Sequence, residues 1–167
     1  MTTIAANPAI SARTLVDTAQ QVISKAITHA SEITEGGKLI DQYQIHTQRI
    51  AYLTTEIKAA EELVAFVERG NDRGHSDHHS AEMAFCYAAE ITHKLRSQIE
   101  SAWEDFGLSE TDLADLNSAS IKELIRSGLS EEKIRNIGNA VLMTGGVNNV
   151  ELEDEVATLT RDAARDF

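Results

Sequence analysis

The chain has 167 residues, with 27 Asp and Glu against 15 Lys and Arg and a formal net charge of −12, a length that suits one domain with one substantial core. A surplus of carboxylates repels phosphate backbones and anionic lipid, so nucleic acid and membrane surfaces are set aside as partners. An apolar content of 42% with a single Pro and nine Gly indicates a soluble, mostly helical chain; with the long periodic runs and short loops taken in order below, the expected fold is all-α, an antiparallel helical bundle.

From Pro8 to Ile33, Leu15, Val16, Ala19, Val22, Ile23, Ala26, Ile27 and Ala30 recur at threes and fours, one face of a long helix. Asn7-Pro8 supplies its cap and first position, and Gly36-Gly37 ends it. A second run, Leu39 to Val67, carries Tyr43, Ile50, Leu53, Ile57, Ala60, Val64 and Val67 at bundle spacing. "RGNDRGHSD" has loop composition. A third run, Ala81 to Phe106, places Ala84, Tyr87, Ala88, Ile91, Leu95 and Ala102 toward the core, with Trp103 and Phe106 as anchors. Short loops between long helices favour antiparallel neighbours. Residues 1–107 are therefore expected to form the long-helix core, 108–148 a short-helix insertion completing the bundle, and 149–167 a tail helix. In the insertion Ser109 with Asp112 reads as a capping pair, whereas Ser118 with Ile121 does not.

"RGHSDHHSAE", Arg73 to Glu82, gathers His75, His78, His79, Asp77 and Glu82. A di-metal carboxylate bundle requires a Glu-x-x-His pair on each of two helices. Glu90 and His93 supply one such pair and no second copy follows. The cluster reads instead as a polar helix entry, with Ser76 or Asp77 as cap, and no metal is expected. His29 and His46 read as surface or bundle-edge residues. Cys86 is alone in an apolar periodic run, which rules out an internal disulfide, suggests a cytoplasmic setting and leaves no base to activate the thiol. No apolar run reaches membrane-spanning length, and "MTTIAANPAISART" lacks the features of a secretory signal. Phosphate-binding glycine motifs and nucleophile elbows are absent.

The second helix carries a more specific pattern. In "GKLIDQYQIHTQRIAYLTTEIKAAEELV" the residues Gly37, Ile40, Gln44, Ala51, Leu53, Ile57, Ala59 and Ala60 resemble the helix that opens the signature region of the C-terminal domain of acyl-CoA dehydrogenases. "AEMAFCYAAEITHKL" is similar to the helix that follows it in that family. The resemblance implies a bundle that packs beside FAD held by neighbouring domains and subunits in a homo-oligomeric enzyme. It also implies cofactor contacts at Gln44, and at Gly145 and Gly146, where "TGGVNNVELEDEVATLTRDA" resembles the family's Gly-Gly turn. The family's arginine and phenylalanine positions hold Ile33 and Gly36 here, and the glutamine before the turn is Leu142. Isoleucine cannot pair with pyrophosphate oxygens as a guanidinium does.

The tail "LEDEVATLTRDAARDF" also resembles the first helix of a dehydrogenase's N-terminal domain, an order of segments similar to the N-terminal extension of methylsuccinyl-CoA dehydrogenases. On either alignment the family's usual catalytic glutamate falls beyond Phe167, and no catalytic residue is expected within the chain. The resemblance thus implies a non-catalytic helical domain that docks on the FAD-bearing core of an acyl-CoA dehydrogenase, the complete enzyme oxidising a branched or dicarboxylic acyl-CoA to its 2,3-enoyl form. The competing reading is an autonomous helical protein-interaction module, favoured by the missing arginine and phenylalanine.

Overall fold

The computed structural model describes residues 7–145, 159–160 and 162–164. Its elements are all helical: α1 (Pro8–Ile33), α2 (Gln44–Asp72), α3 (His78–Glu100), α4 (Ala119–Gly128) and α5 (Glu131–Met143), with short 3₁₀ turns at Ile40–Gln42, Trp103–Phe106 and Glu110–Leu113. Two compact units divide the chain, residues 1–137 and 138–167. In the second, the described residues are the last turns of α5, Gly145, and helical positions at 159–160 and 162–164.

Helices α1, α3 and α4 each begin where a side chain takes over orphan backbone donors, whereas Tyr43 ahead of α2 makes no side-chain cap bond. The Asn7 side chain accepts from Ala9 N–H at 3.0 Å with Pro8 behind it. Asp77 accepts from the N–H groups of His79 and Ser80 at 3.0 and 3.2 Å. Ser109 and Asp112 form a reciprocal capping box, but it opens only a 3₁₀ turn where the sequence suggested a helix. Ser118 caps α4 without a reciprocating acid, accepting from Ile121 N–H at 3.3 Å.

In the first unit α1 packs on both α2 and α3, α2 packs on α3, and α4 lies against α3 and α1. The α1 stripe from Ala12 to Ala30 is buried as its periodicity predicts, except Ile27, which is 39% exposed because it sits at the edge of that arc. Leu53, Ile57 and Val64 of α2 meet it, and Ala88, Leu95 and Ile99 of α3 close the third side, all at most 1% exposed. Many of these positions are alanine, which lets helix axes approach closely. Thr92, also buried, donates to the carbonyls of Ala88 (2.7 Å) and Leu15 (3.3 Å), so it satisfies its own hydroxyl while bridging α3 to α1.

Several expected boundaries move. The second helix starts at Gln44 rather than Leu39, leaving Tyr43 as an exposed flanking residue, because the Ile40–Gln42 turn uses the chain there. At its other end the helix runs on through Gly70 and Asn71 to Asp72, so the loop begins at Arg73. The third helix starts earlier, at His78, and stops at Glu100; Tyr87 and Ala102 are only partly buried, packed at the margin of the core. Phe106 is wholly buried and Trp103 packs beside the core.

Candidate functional site

Of the residues expected to face a cofactor, Gln44 lies just after the reversal between α1 and α2. Thr34 closes α1, its hydroxyl donating to Ala30 O at 2.6 Å and accepting from Gly37 N–H at 3.1 Å. Glu35, Gly36 and Gly37 then follow with φ of 50°, 68° and 95°. Gly36 N–H reaches back to Ser31 O at 2.8 Å and Leu39 N–H to Thr34 O at 2.9 Å, which folds the chain tightly over the helix end. Ile33 and Gly36, the positions of the family's arginine and phenylalanine, are both in this reversal.

Gln44 is the first residue of α2 and is exposed; its amide nitrogen lies 3.4 Å from Asp41 Oδ1, a weak bond that leaves the amide available. Its neighbours are unfavourable to a phosphate. Glu32, Glu35 and Asp41 are exposed carboxylates along this stretch against the single cation Lys38. The residues here therefore do not fit a flavin pyrophosphate as their own ligand, because they offer an amide but no guanidinium and carry a surplus of negative charge. Gly145 belongs to the second unit, where it follows α5 with φ 62° and donates its N–H to Leu142 O at 3.2 Å. Gly146 lies outside the described residues.

The histidine-rich stretch is engaged in helix-entry and ion-pair chemistry. Asp77 caps α3, and its Oδ2 also accepts from the Ser80 hydroxyl at 2.5 Å. Burial acts to raise the Asp77 carboxyl, and the hydrogen bonds from Ser80 and His79 outweigh it and hold the group below its usual range. Glu82 pairs with Lys133 of α5 and lies 3.7 Å from His78 Nε2. Glu90 and His93 are exposed on the outer face of α3. Among the described residues, no three of His, Cys, Asp and Glu converge on one point. Cys86 is half-buried, and burial, with Glu90 next, pushes its thiol up. Glu56 reaches across to α3, its Oε1 2.5 Å from Lys94 Nζ.

A recess of about 270 Å³ separates the start of α1 from the end of α2, lined by Ile10, Arg13, Glu68, Asn71 and Asp72. Arg13, its cation, is held by Glu68 through two bonds of 2.9 and 2.5 Å and by Asp17 at 3.7 Å. This pair fastens the antiparallel ends of α1 and α2 together.

One cluster escaped the sequence reading. His29 of α1 and His46 of α2 meet edge to face, with ring centroids 6.0 Å apart, and His46 in turn lies 5.7 Å from Phe106. The available signal was positional: the two histidines stand at similar separations on either side of Gly37, so an antiparallel reversal there brings them level.

No helix among the described residues is long and apolar enough to cross a membrane. Comparison with known proteins gives one family: the model of the acyl-CoA dehydrogenase C-terminal domain matches residues 2–104, which take in α1, α2, α3 and the following turn as far as Glu104. No curated protein and no solved structure matches the chain. Well over half of the 167 residues fall within the family match, and they coincide with the three long helices of the core; the chain belongs to the acyl-CoA dehydrogenase family, as a helical domain of the C-terminal type.

Proposed function

We propose that this chain is a non-catalytic helical domain that docks on the flavin-bearing core of an acyl-CoA dehydrogenase and shapes its assembly into a homo-oligomer, in a cytoplasmic setting. The observation that carries this reading is the combination of an intact three-helix frame with a reversal that has Ile33 and Gly36 where the family holds its cofactor-contacting arginine and phenylalanine. FAD in the complete enzyme supplies the hydride and electron chemistry. In this reading the exposed Gln44 amide contacts that flavin by a hydrogen bond rather than by charge pairing, and Gly145 and Gly146 are assigned to cofactor contact by the family resemblance of their turn alone. The acyl group we infer is branched or dicarboxylic, as in methylsuccinyl-CoA. Support for it is the order of segments, a bundle of this kind ahead of a dehydrogenase-like "LEDEVATLTRDAARDF".

The test has two arms. Titrating FAD into the purified chain is expected to leave the flavin's visible band and the melting temperature unchanged, since a ligand bound only by the native state raises stability by mass action. Adding the chain to an FAD-loaded methylsuccinyl-CoA dehydrogenase core lacking its extension is expected to give a stable complex by gel filtration. Tight binding of FAD by the chain alone would refute the non-catalytic reading. A core that ignores the chain would favour the autonomous interaction module.

A further inference from the structure

The imidazoles of His29 and His46 form the seat on which the corner after α3 rests. Two consecutive corner residues each press on one of them. Phe106, fully buried, lies with its ring 5.7 Å from His46 and tilted 44° to it. Gly107, at φ 67°, passes so close to the other ring that a Cβ built on it would stand 2.1 Å from His29 Cγ. The rings themselves are T-shaped at 87°, a packing suited to neutral aromatic heterocycles. Nε2 of His46 is buried without a hydrogen-bond partner in the protein, so an N–H formed there by protonation would have no side-chain or backbone acceptor to donate to.

The charged surroundings are unequal. His29 faces His46 from α1, Arg49 from its own helix, and Asp105 from the corner. Two of the three disfavour a cation at His46, and Asp105 alone favours one. His29, with its ring centroid 6.0 Å away, is the larger of the two charged-group causes that disfavour a cation at His46.

We propose that the His29–His46 pair is an acid-sensitive latch on the Trp103–Gly107 corner: the neutral His46 imidazole, seated between His29 and Phe106, holds the corner against the α1–α2 seam, and its protonation releases it. Burial first, and His29 second, hold the His46 imidazole below its ordinary 6.5. The sign follows from that direction. In the released state His46 recovers its ordinary affinity for protons, so between 6.5 and the depressed value the released state binds more of them. The latch is fully closed above 6.5 and is lost as pH falls through the depressed value.

Amide hydrogen exchange of the full chain tests this, read at residues 102–108 from pH 8 to 5 and corrected for the intrinsic pH dependence of exchange. The opening constant is expected to rise as pH falls from 6.5 toward the depressed value, by at most about tenfold per pH unit for the one proton His46 takes up, and to level off below that value, while amides of Ala88 to Leu95 keep their protection. His46→Phe retains an aromatic ring that cannot titrate and is expected to flatten the profile; His29→Gln is expected to reduce its slope. A corner whose protection is unchanged down to pH 5, or a His46→Phe profile as steep as the parent's, overturns the latch. Should His46→Phe fail to fold, the imidazole proton resonance of His46 in the unaltered chain decides the matter. Titration below 6.5 alongside corner opening supports the latch, and titration at or above 6.5 with the corner closed overturns it.

Discussion

Replacing Gly128 with alanine separates helix propensity from helix packing at the one place where α4 meets α3 most closely. Gly128 is the last residue of α4, it is buried, and its backbone has no need of glycine's left-handed freedom. On propensity alone the substitution would stabilise the chain, by up to about 1 kcal/mol. Yet a Cβ at this position would stand 2.5 Å from Ala89 Cβ, with Phe85 O at 3.3 Å and Phe85 Cε2 at 3.4 Å. Ala89 is a methyl group fixed to the middle of a 23-residue helix and has no rotamer with which to yield. Helix α4 must therefore slide or tilt, and overpacking of this sort costs about 1–3 kcal/mol. The expected net loss is about 1–2 kcal/mol, read as a fall in melting temperature of about 2–8 °C for a chain of this size. A double-mutant cycle isolates the contact. Ala89→Gly by itself should cost about 1 kcal/mol for glycine inside a helix, and when combined with Gly128→Ala it should recover most of the packing loss. A Gly128→Ala variant that melts higher than the parent, or a double variant destabilised by the sum of the two singles, would refute the reasoning.

Two further outcomes follow from the caps and ion pairs. Asp77→Ala leaves the N–H groups of His79 and Ser80 without their acceptor and should cost about 1 kcal/mol, with the loss of exchange protection concentrated in the first turn of α3; Asp77→Asn should restore most of it. Acid should weaken the fold over a defined window. The Arg13 bond holds Glu68 below 4.5, the Lys25 bond holds Asp112 below 3.8, and Asp77 is depressed as described. Each unfolded carboxylate takes its proton first, so the stabilisation is complete above these ordinary values and disappears as pH falls through the lower folded ones. Denaturant midpoints at pH 5, 4 and 3 should therefore decline most steeply below 4.5, with a shallower decline in Glu68→Gln; midpoints that stay level to pH 3 would contradict the pairing.

Helix faces were legible in the sequence because burial of one stripe imposes a period that no other structure shares, and Leu15 to Ala30 on α1 shows it. Ends were less legible. Gly70 and Asn71 suggested a loop, but a helix already anchored on the bundle by Val64 and Val67 carries them along at small cost. Capping chemistry at Ser109 was readable, yet the number of helical turns behind it was not, since that depends on packing by Leu113 and Leu116 against residues far away in sequence. For the site, the sequence exposed what was missing at Ile33 and Gly36. It could not show the carboxylates beside Gln44 as one surface, nor His29 against His46, because both arise only when the chain reverses at Gly36 and Gly37.

The hydroxyl of Thr92 on the carbonyl of Leu15, across 77 residues of sequence, and the close approach of Gly107 to His29 further along in the same sense mark α3 as the parallel neighbour of α1. Parallel neighbours cannot be joined by a short turn, so α2 has to run between them, and an α1–α2 hairpin alone would leave facing water the side of α1 that packs on α3. The three long helices, with the 108–125 segment that shares their core, accordingly form one piece that has to be cut out or transplanted whole. A chain severed at Gly74 should regain structure only when both fragments are mixed, and a fusion to another protein has to respect the first compact unit, which takes in α4 as well as the three long helices.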